Sequence, residues 1–232
     1  MTRNITFLLS IILAFSAIAV RAAEKVVTIS TKDIQLVYKV DDKNKLRQCY
    51  FGESMDNNAQ YVQLTKHDAY PTFGTSYVNE PALRAVHADG NTSTELVYVS
   101  HKTELMGDGI EHTEIELRDS YFPFNVTLCF NAYHKENVIE AWTVIKHSEK
   151  KPVMLYNYAS SHLFFQEKKY YLTQFYGEWA DEMHMTEMQL TRGVKSLESK
   201  LGVRSNQHAH ACFLLGLDAP AQEDAGRVVG GT

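Results

Sequence analysis

Trp179 stands in the run LTQFYGEWADEM, residues 172–183, beside a glycine and among three acids, Glu178, Asp181 and Glu182. An indole face stacks on the apolar C–H face of a sugar ring while carboxylates and amides bind its hydroxyls, so this setting suits saccharide contact. The alternative is a core tryptophan, the role expected of Trp142 in the middle of a strand-like segment. The flanking Gly177 and the acids place Trp179 in a loop and favour contact with substrate. The three acids also raise general acid and base chemistry. Glycoside hydrolysis takes two carboxylates about 5–10 Å apart across the scissile bond. Sequence spacing does not set that separation, and acids clustered on a turn ordinarily form a solvated face. No catalytic residue is assigned to them.

Asp68 lies next to Tyr70 and Pro71 and is a second, weaker candidate for hydrogen bonding to a sugar hydroxyl, since aspartate is also a common turn former. His208 and His210, two apart, share one side of a strand and have metal-ligand chemistry. Spacing implies no third or fourth ligand, so no metal site is expected. Cys49, Cys129 and Cys212 follow no metal-binding pattern and sit in apolar contexts. Buried thiols are expected, with one disulfide still open. No phosphate loop, nucleotide fingerprint or Ser/His/Asp arrangement is present.

The elements that must hold these residues read as strands. The chain has 232 residues, 44% of them apolar and 11% aromatic, enough for one large all-β domain or two small ones. VVTIST, IQLVYKV and LRQCYFG are short, β-branched and aromatic, with the turn-rich DDKNK between the last two. Phe124, Val126, Leu128 and Phe130 alternate with Asn125, Thr127, Cys129 and Asn131, which predicts a strand with one buried face. Asp89-Gly90-Asn91 predicts a hairpin turn. Residues 53–83 read as a long aromatic loop of the kind that carries function or meets another domain. EDAGRVVGGT reads as a turn followed by a strand at the last residues, which suggests a fragment. Many short strands with no helical period predict an antiparallel sandwich.

The first residues have another purpose. Arg3, an apolar run from Ile5 to Val20 and small residues at Ala22 and Ala23 follow the order of a secretory signal, so residues 1–22 are expected to be removed and 23–232 to form the mature domain. The alternative is an uncleaved anchor, for which the run is short. A periplasmic or secreted location follows, with no membrane association after cleavage. The 23 basic and 28 acidic residues give a net charge of −5 without a basic run, so nucleic acid is not an expected partner.

Several blocks together carry a resemblance. AYPTFGTSYVNEPALRAVHADGNTSTELVY, DSYFPFNVTLCFNAYHKENVIEAW with Asn137-Val138-Ile139 opening its second strand, GEWADE, and Gly193, Ser199 and Gly202 follow one another in family order. From about Ile34 to the end, the chain resembles the N-terminal β-supersandwich domain of bacterial α-galactosidases of glycoside hydrolase family 36. Departures include Ser205 to Phe213, where the family often has Ser-His-Gln-x-Asn-Pro-Phe, and Ala141, where it often has arginine. A shortened loop ahead of Tyr70-Pro71 leaves only Asp56 or Asp68 for the family's sugar-contacting aspartate. The resemblance implies an antiparallel β-supersandwich truncated before a (β/α)8 barrel. It also implies a retaining enzyme acting on terminal α-linked galactose, whose two catalytic aspartates lie on that barrel and beyond residue 232. Implied partners are the galactoside, the barrel of the full-length chain and other copies in a homo-oligomer. No cofactor is implied. Trp179 would form one wall of the pocket. Two other uses remain open. One is a stand-alone galactoside-binding sandwich. The other is an epimerase-like sugar sandwich, which needs a His and a Glu together in a deep pocket.

Overall fold

The computed structural model describes residues 25–55, 67–75, 79–198, 209–210 and 212–232. The apolar leader, Asp56, Ser199, Gly202 and His208 lie outside the described residues, as does most of the variant segment after Ser205. Thirteen strands are described, all named pairs are antiparallel, and no α-helix occurs among the described residues. The all-β expectation therefore holds. The chain forms two compact units, residues 1–164 and 165–232.

The first unit contains β1 (Val26–Ser30), β2 (Ile34–Val40), β3 (Leu46–Glu53), β4 (Leu83–Val86), β5 (Leu96–Leu105), β6 (Ile110–Asp119), β7 (Phe124–Tyr133), β8 (Val138–His147) and β9 (Met154–Tyr158). These make sheets β1-β2-β3, β5-β6-β7-β8 and the pair β4-β9. Along β7 the predicted period of two appears directly: Phe124, Val126, Leu128 and Phe130 are buried and join one core. Ile115 and Leu117 of β6 and Leu36 and Tyr38 of β2 complete it, so the core lies between the two larger sheets. Each such side chain contributes about 1.5–3 kcal/mol when fully buried.

Turn chemistry sets the ends of these strands. In DDKNK, Asp41 Oδ1 accepts from the amides of Lys43 (2.9 Å) and Lys45 (2.8 Å), while Asn44 takes φ +59°. Asparagine tolerates that left-handed conformation better than most residues. Asn137 does the same at φ +58° just before β8, and its side-chain oxygen accepts from the Thr31 hydroxyl and the Asp33 amide (3.2 Å). One residue thus joins the β1–β2 turn to the β7–β8 turn. The Asp89-Gly90-Asn91 turn also forms, with Gly90 at φ +91° and the His87 amide bonded to Asn91 O (2.8 Å). It is not a hairpin, however. Its flanking strands part company, β4 to pair with β9 and β5 with β6.

Within this turn region lies a buried pair that the sequence did not reveal. His87 Nδ1 donates to Glu149 Oε1 (2.8 Å), and Glu149 Oε2 accepts the Ala88 amide (2.7 Å). His87 Nε2 meets Thr94 Oγ1 at 3.1 Å, and the imidazole stacks 3.8 Å from Phe122. Both side chains are almost fully buried. Their polar atoms are used internally, with no room for a sugar ring. This pair supplies the His and Glu of the epimerase-like reading without its deep pocket.

The second unit contains β10 (Tyr170–Glu178), β11 (Asp181–Gln189), β12 (Phe213–Leu217) and β13 (Arg227–Gly231), in the order β11-β10-β12-β13. The final strand pairs with β12 along its whole length. The β10–β11 hairpin carries a bulge between Tyr176 and Glu178 and turns through Trp179 and Ala180. At the bulge, a Cβ on Gly177 would lie 2.6 Å from Asp181 O and 2.8 Å from Glu182 Cα, both backbone atoms. Only glycine fits this approach. Ala180 takes φ +62°.

Two outcomes follow from this packing. Burial raises the Glu149 carboxyl, but hydrogen bonds from His87 and Ala88, with attraction to His87, outweigh it and hold the group below its ordinary value of 4.5. Its stabilisation is complete above that value and disappears as pH falls through the lower folded-state value. Glu149→Gln should therefore cost about 1–3 kcal/mol at neutral pH, and urea titrations should show the gap to wild type closing below pH 4.5. In the second unit, Gly177→Ala should cost about 1–3 kcal/mol through overpacking and speed amide exchange along β10 and β11. Ala180→Gly should leave that exchange unchanged or slower, because it relieves the left-handed alanine.

Candidate functional site

Trp179 sits at the two-residue tip of the β10–β11 hairpin and is 81% exposed. The core alternative is thereby excluded. The surrounding acids hold the tip in shape. Glu182 Oε1 accepts the Ala180 amide (2.9 Å), and Asp181 Oδ1 lies 2.6 Å from His184 Nε2. The His184 ring in turn lies 5.5 Å from that of Tyr176. All three acids are exposed, as the solvated-face reading expects. Their arrangement presents an indole face to solvent beside fixed hydrogen-bonding groups. That combination can stack on a saccharide ring and bind its rim hydroxyls.

Asp68 belongs to a different place, a cleft of about 520 Å³ in the first unit. Its segment runs beside β3, with the Gln48 amide bonded to His67 O (3.1 Å) and the Ala69 amide to Leu46 O (3.0 Å). Asp68 Oδ1 accepts from Arg47 Nη1, and Arg47 Nε is held by Asp41 Oδ2 at 2.8 Å. Burial raises the Asp41 carboxyl, but the Lys45 amide and the Arg47 guanidinium overcome this and keep it below the usual range. Asp68 is therefore one end of an Asp–Arg–Asp chain rather than an isolated turn residue. Beyond it, Lys45 Nζ contacts Glu95 Oε1 (3.1 Å), and Thr72, Ser93 and Tyr121 add hydroxyls to the cleft wall. Both carboxylates lining the cleft are thus ion-paired, which suits recognition of hydroxyls and not proton transfer.

The Tyr-Pro-aromatic-Gly loop shapes this cleft. Tyr70 donates to Ala159 O (2.7 Å), and Thr72 Oγ1 donates to Thr94 O. Gly74, at φ +86°, lies so close to Ser93 that a Cβ would reach within 2.5 Å of the Ser93 Cα. On the strand side, Gln48 pairs with both the amide and the carbonyl of Phe164, each at 2.8 Å.

Of the other sequence candidates, His210 is half-buried, with its amide bonded to Phe175 O (3.0 Å). No group of three potential metal ligands occurs among the described residues. Cys129 and Cys212 are free thiols, and Cys49 and Cys129 are buried. Sequence reasoning missed Arg47, Lys45 and Glu95. The available signal was the alternation of LRQCYFG, which puts Arg47 on the side of β3 opposite Leu46.

Comparison with known proteins accords with this architecture. The family model described as glycosyl hydrolase family 36 N-terminal domain matches residues 32–232. An α-galactosidase, AgaA of Geobacillus stearothermophilus, is 27% identical over 175 residues, which cover 69% of this chain and 24% of that protein. The crystal structure of an AgaA variant in complex with 1-deoxygalactonojirimycin superposes with a TM-score of 0.79 at 22% identity, over 89% of this chain and 33% of that one. The α-galactosidase of Lactobacillus brevis gives 0.76 at 18%, over 85% and 31%. The chain thus spans about a quarter to a third of these relatives. With the match running through both units to residue 232, the chain belongs to glycosyl hydrolase family 36 by its N-terminal domain.

Proposed function

We propose that this chain is the sandwich part of an exported α-galactosidase that removes terminal α-linked galactose, and that it supplies walls of the substrate pocket. The carrying observation is Trp179, 81% exposed on a hairpin tip shaped by the close backbone approach at Gly177 and by the hydrogen bonds of Asp181 and Glu182. Complexes of AgaA variants with raffinose and with stachyose support a galactoside as the substrate class. In this reading the indole of the second unit stacks on the C–H face of galactose; on the first unit, Asp68, oriented by Arg47, is a separate acceptor for a saccharide hydroxyl. The retaining chemistry belongs to two aspartates outside these 232 residues. Binding energy gathered by residues remote from the bond being cleaved serves to place the substrate for that chemistry. Assembly with a barrel and with further copies, and export directed by residues 1–22, complete the proposal.

Two tryptophans give the chain two indole N–H signals. Raffinose added to the nitrogen-labelled chain should shift the Trp179 signal, and Trp179→Ala should weaken binding about three- to tenfold, the size of one aromatic stacking contact. Asp68→Asn should weaken it less. A Trp179 signal that stays fixed at saturating raffinose, with unchanged affinity in Trp179→Ala, would remove Trp179 from the pocket.

A further inference from the structure

The β5–β8 sheet has a second face. Period two places Phe130, Ala132 and Ala141 in the core, so Asn131, Glu140 and Trp142 stand on the opposite side. Trp142 is therefore not a core residue, and it remains partly exposed. It stacks on His112 of β6, with ring centroids 5.6 Å apart and planes within 25°. Cys129, the strand partner of Trp142 on this same outer face, is only 2% exposed. An outer face is that well covered only where something lies over it, and the aromatic pair is the bulky group nearest in register. The two rings make a stacked aromatic pair on this face.

Polar groups beside this pair are locked together. His112 Nδ1 donates to Asn131 Oδ1 (2.7 Å), and Asn131 Nδ2 donates to Glu140 Oε2 (2.9 Å). The Tyr133 hydroxyl donates to the same Glu140 oxygen (2.8 Å). The bonds from Asn131 and Tyr133 also hold the Glu140 carboxyl below its ordinary range, so it is an acceptor at neutral pH. Glu140 keeps its second oxygen for an outside partner. Fixing four side chains through one another removes most of the entropy that binding would otherwise cost.

A strand face meant only to meet water needs neither a stacked aromatic pair nor a closed hydrogen-bond chain at its side. A face meant for a protein partner would carry apolar bulk at its centre and few charges. Here Glu114, Glu116, Arg118 and Lys146 share the face with Trp142. We infer that the outer face of β6, β7 and β8, centred on Trp142 and edged by Asn131, Glu140 and Tyr133, binds the ring of a neutral saccharide. It takes its ligand class from the galactoside reading above, but none of its residues from it. Such a surface would hold part of a longer galactoside, or a second one, on the first unit.

The two indole signals separate this inference from that reading. With raffinose as probe, the Trp142 signal should shift in the wild-type chain and still shift in Trp179→Ala. Asn131→Ala and Glu140→Gln, both outside the core, should each weaken that shift at least threefold while leaving the melting temperature and the Trp179 titration unchanged. A Trp142 signal that never moves, or moves only while Trp179 is present, overturns the inference and leaves the Trp179 reading intact. Movement with protein concentration in the absence of sugar also overturns it, because a second copy of the chain would then be the occupant. If Trp179 stays fixed and Trp142 moves, the pocket reading fails and this one stands.

Discussion

Tyr38 of β2 and Phe130 of β7 face each other with ring centroids 5.8 Å apart, and both are almost fully buried. They mark where the three-stranded and four-stranded sheets meet, and the order of the rest of the first unit follows from that meeting. Because side chains alternate along a strand, fixing Phe130 inward also fixes Phe124, Val126 and Leu128 inward and every intervening residue outward. A slip of one position would exchange the whole row, at about 1.5–3 kcal/mol for each large side chain exposed. The outward row of β8 is determined just as firmly. Trp142 stands outside not through local preference but because Ala141 and Ile139 occupy the core positions beside it.

Polar side chains in the first unit divide by their access to water. His87 and Glu149 are sealed, and every polar atom of the pair is committed to His87, Ala88, Thr94 or Glu149 itself. Breaking such a pair strands a charge in a poorly polarisable interior, so its role is to tie the segment after β4 to the segment after β8. Arg47, Asp41 and Asp68 are about one quarter exposed, and Arg47 and Asp68 line a cleft. Water can reach them, a ligand can replace that water, and the guanidinium keeps the Asp68 carboxylate oriented while it does so. Burial, rather than residue type, separates the sealed pair from the chain that water reaches.

Much of the fold was legible because its signals are local. The alternation along Phe124–Asn131, the DDKNK turn and the absence of a helical period each need only a short window of sequence, and each appears as read. Asp89-Gly90-Asn91 shows the limit. Glycine at φ +91° gives the turn, but whether its flanks pair depends on which strands compete for them, and β9, which pairs Val86 with Met154 and Leu83 with Tyr158, lies far along the chain in the competition for β4. His87 and Glu149, 62 positions apart, and Arg47 and Asp68, 21 apart, are joined only by strand pairing that a single sequence does not encode in any window. Trp142 was misplaced for a related reason. Its segment carries apolar side chains on both faces, so composition did not say which face held the core, whereas the polar neighbours of Trp179 marked that residue as exposed.

Trp179 also shows why a hairpin suits the presentation of a large aromatic side chain. Leaving an indole in water forgoes the stabilisation that burial would give, about as much as any residue can contribute. On a loose loop the same ring would also have to be ordered when a ligand arrived, and that entropy would cancel part of the stacking energy. The β10–β11 tip avoids the second cost. Gly177 lets the two strands approach at the bulge, Glu182 closes the turn onto the Ala180 amide, and Asp181 with His184 fastens the returning strand. Ala180 accepts a left-handed backbone within this arrangement. Strain and exposure thus coincide at two adjacent residues, while the supporting contacts come from their neighbours on either side. That division is expected where a side chain serves a ligand rather than its own fold.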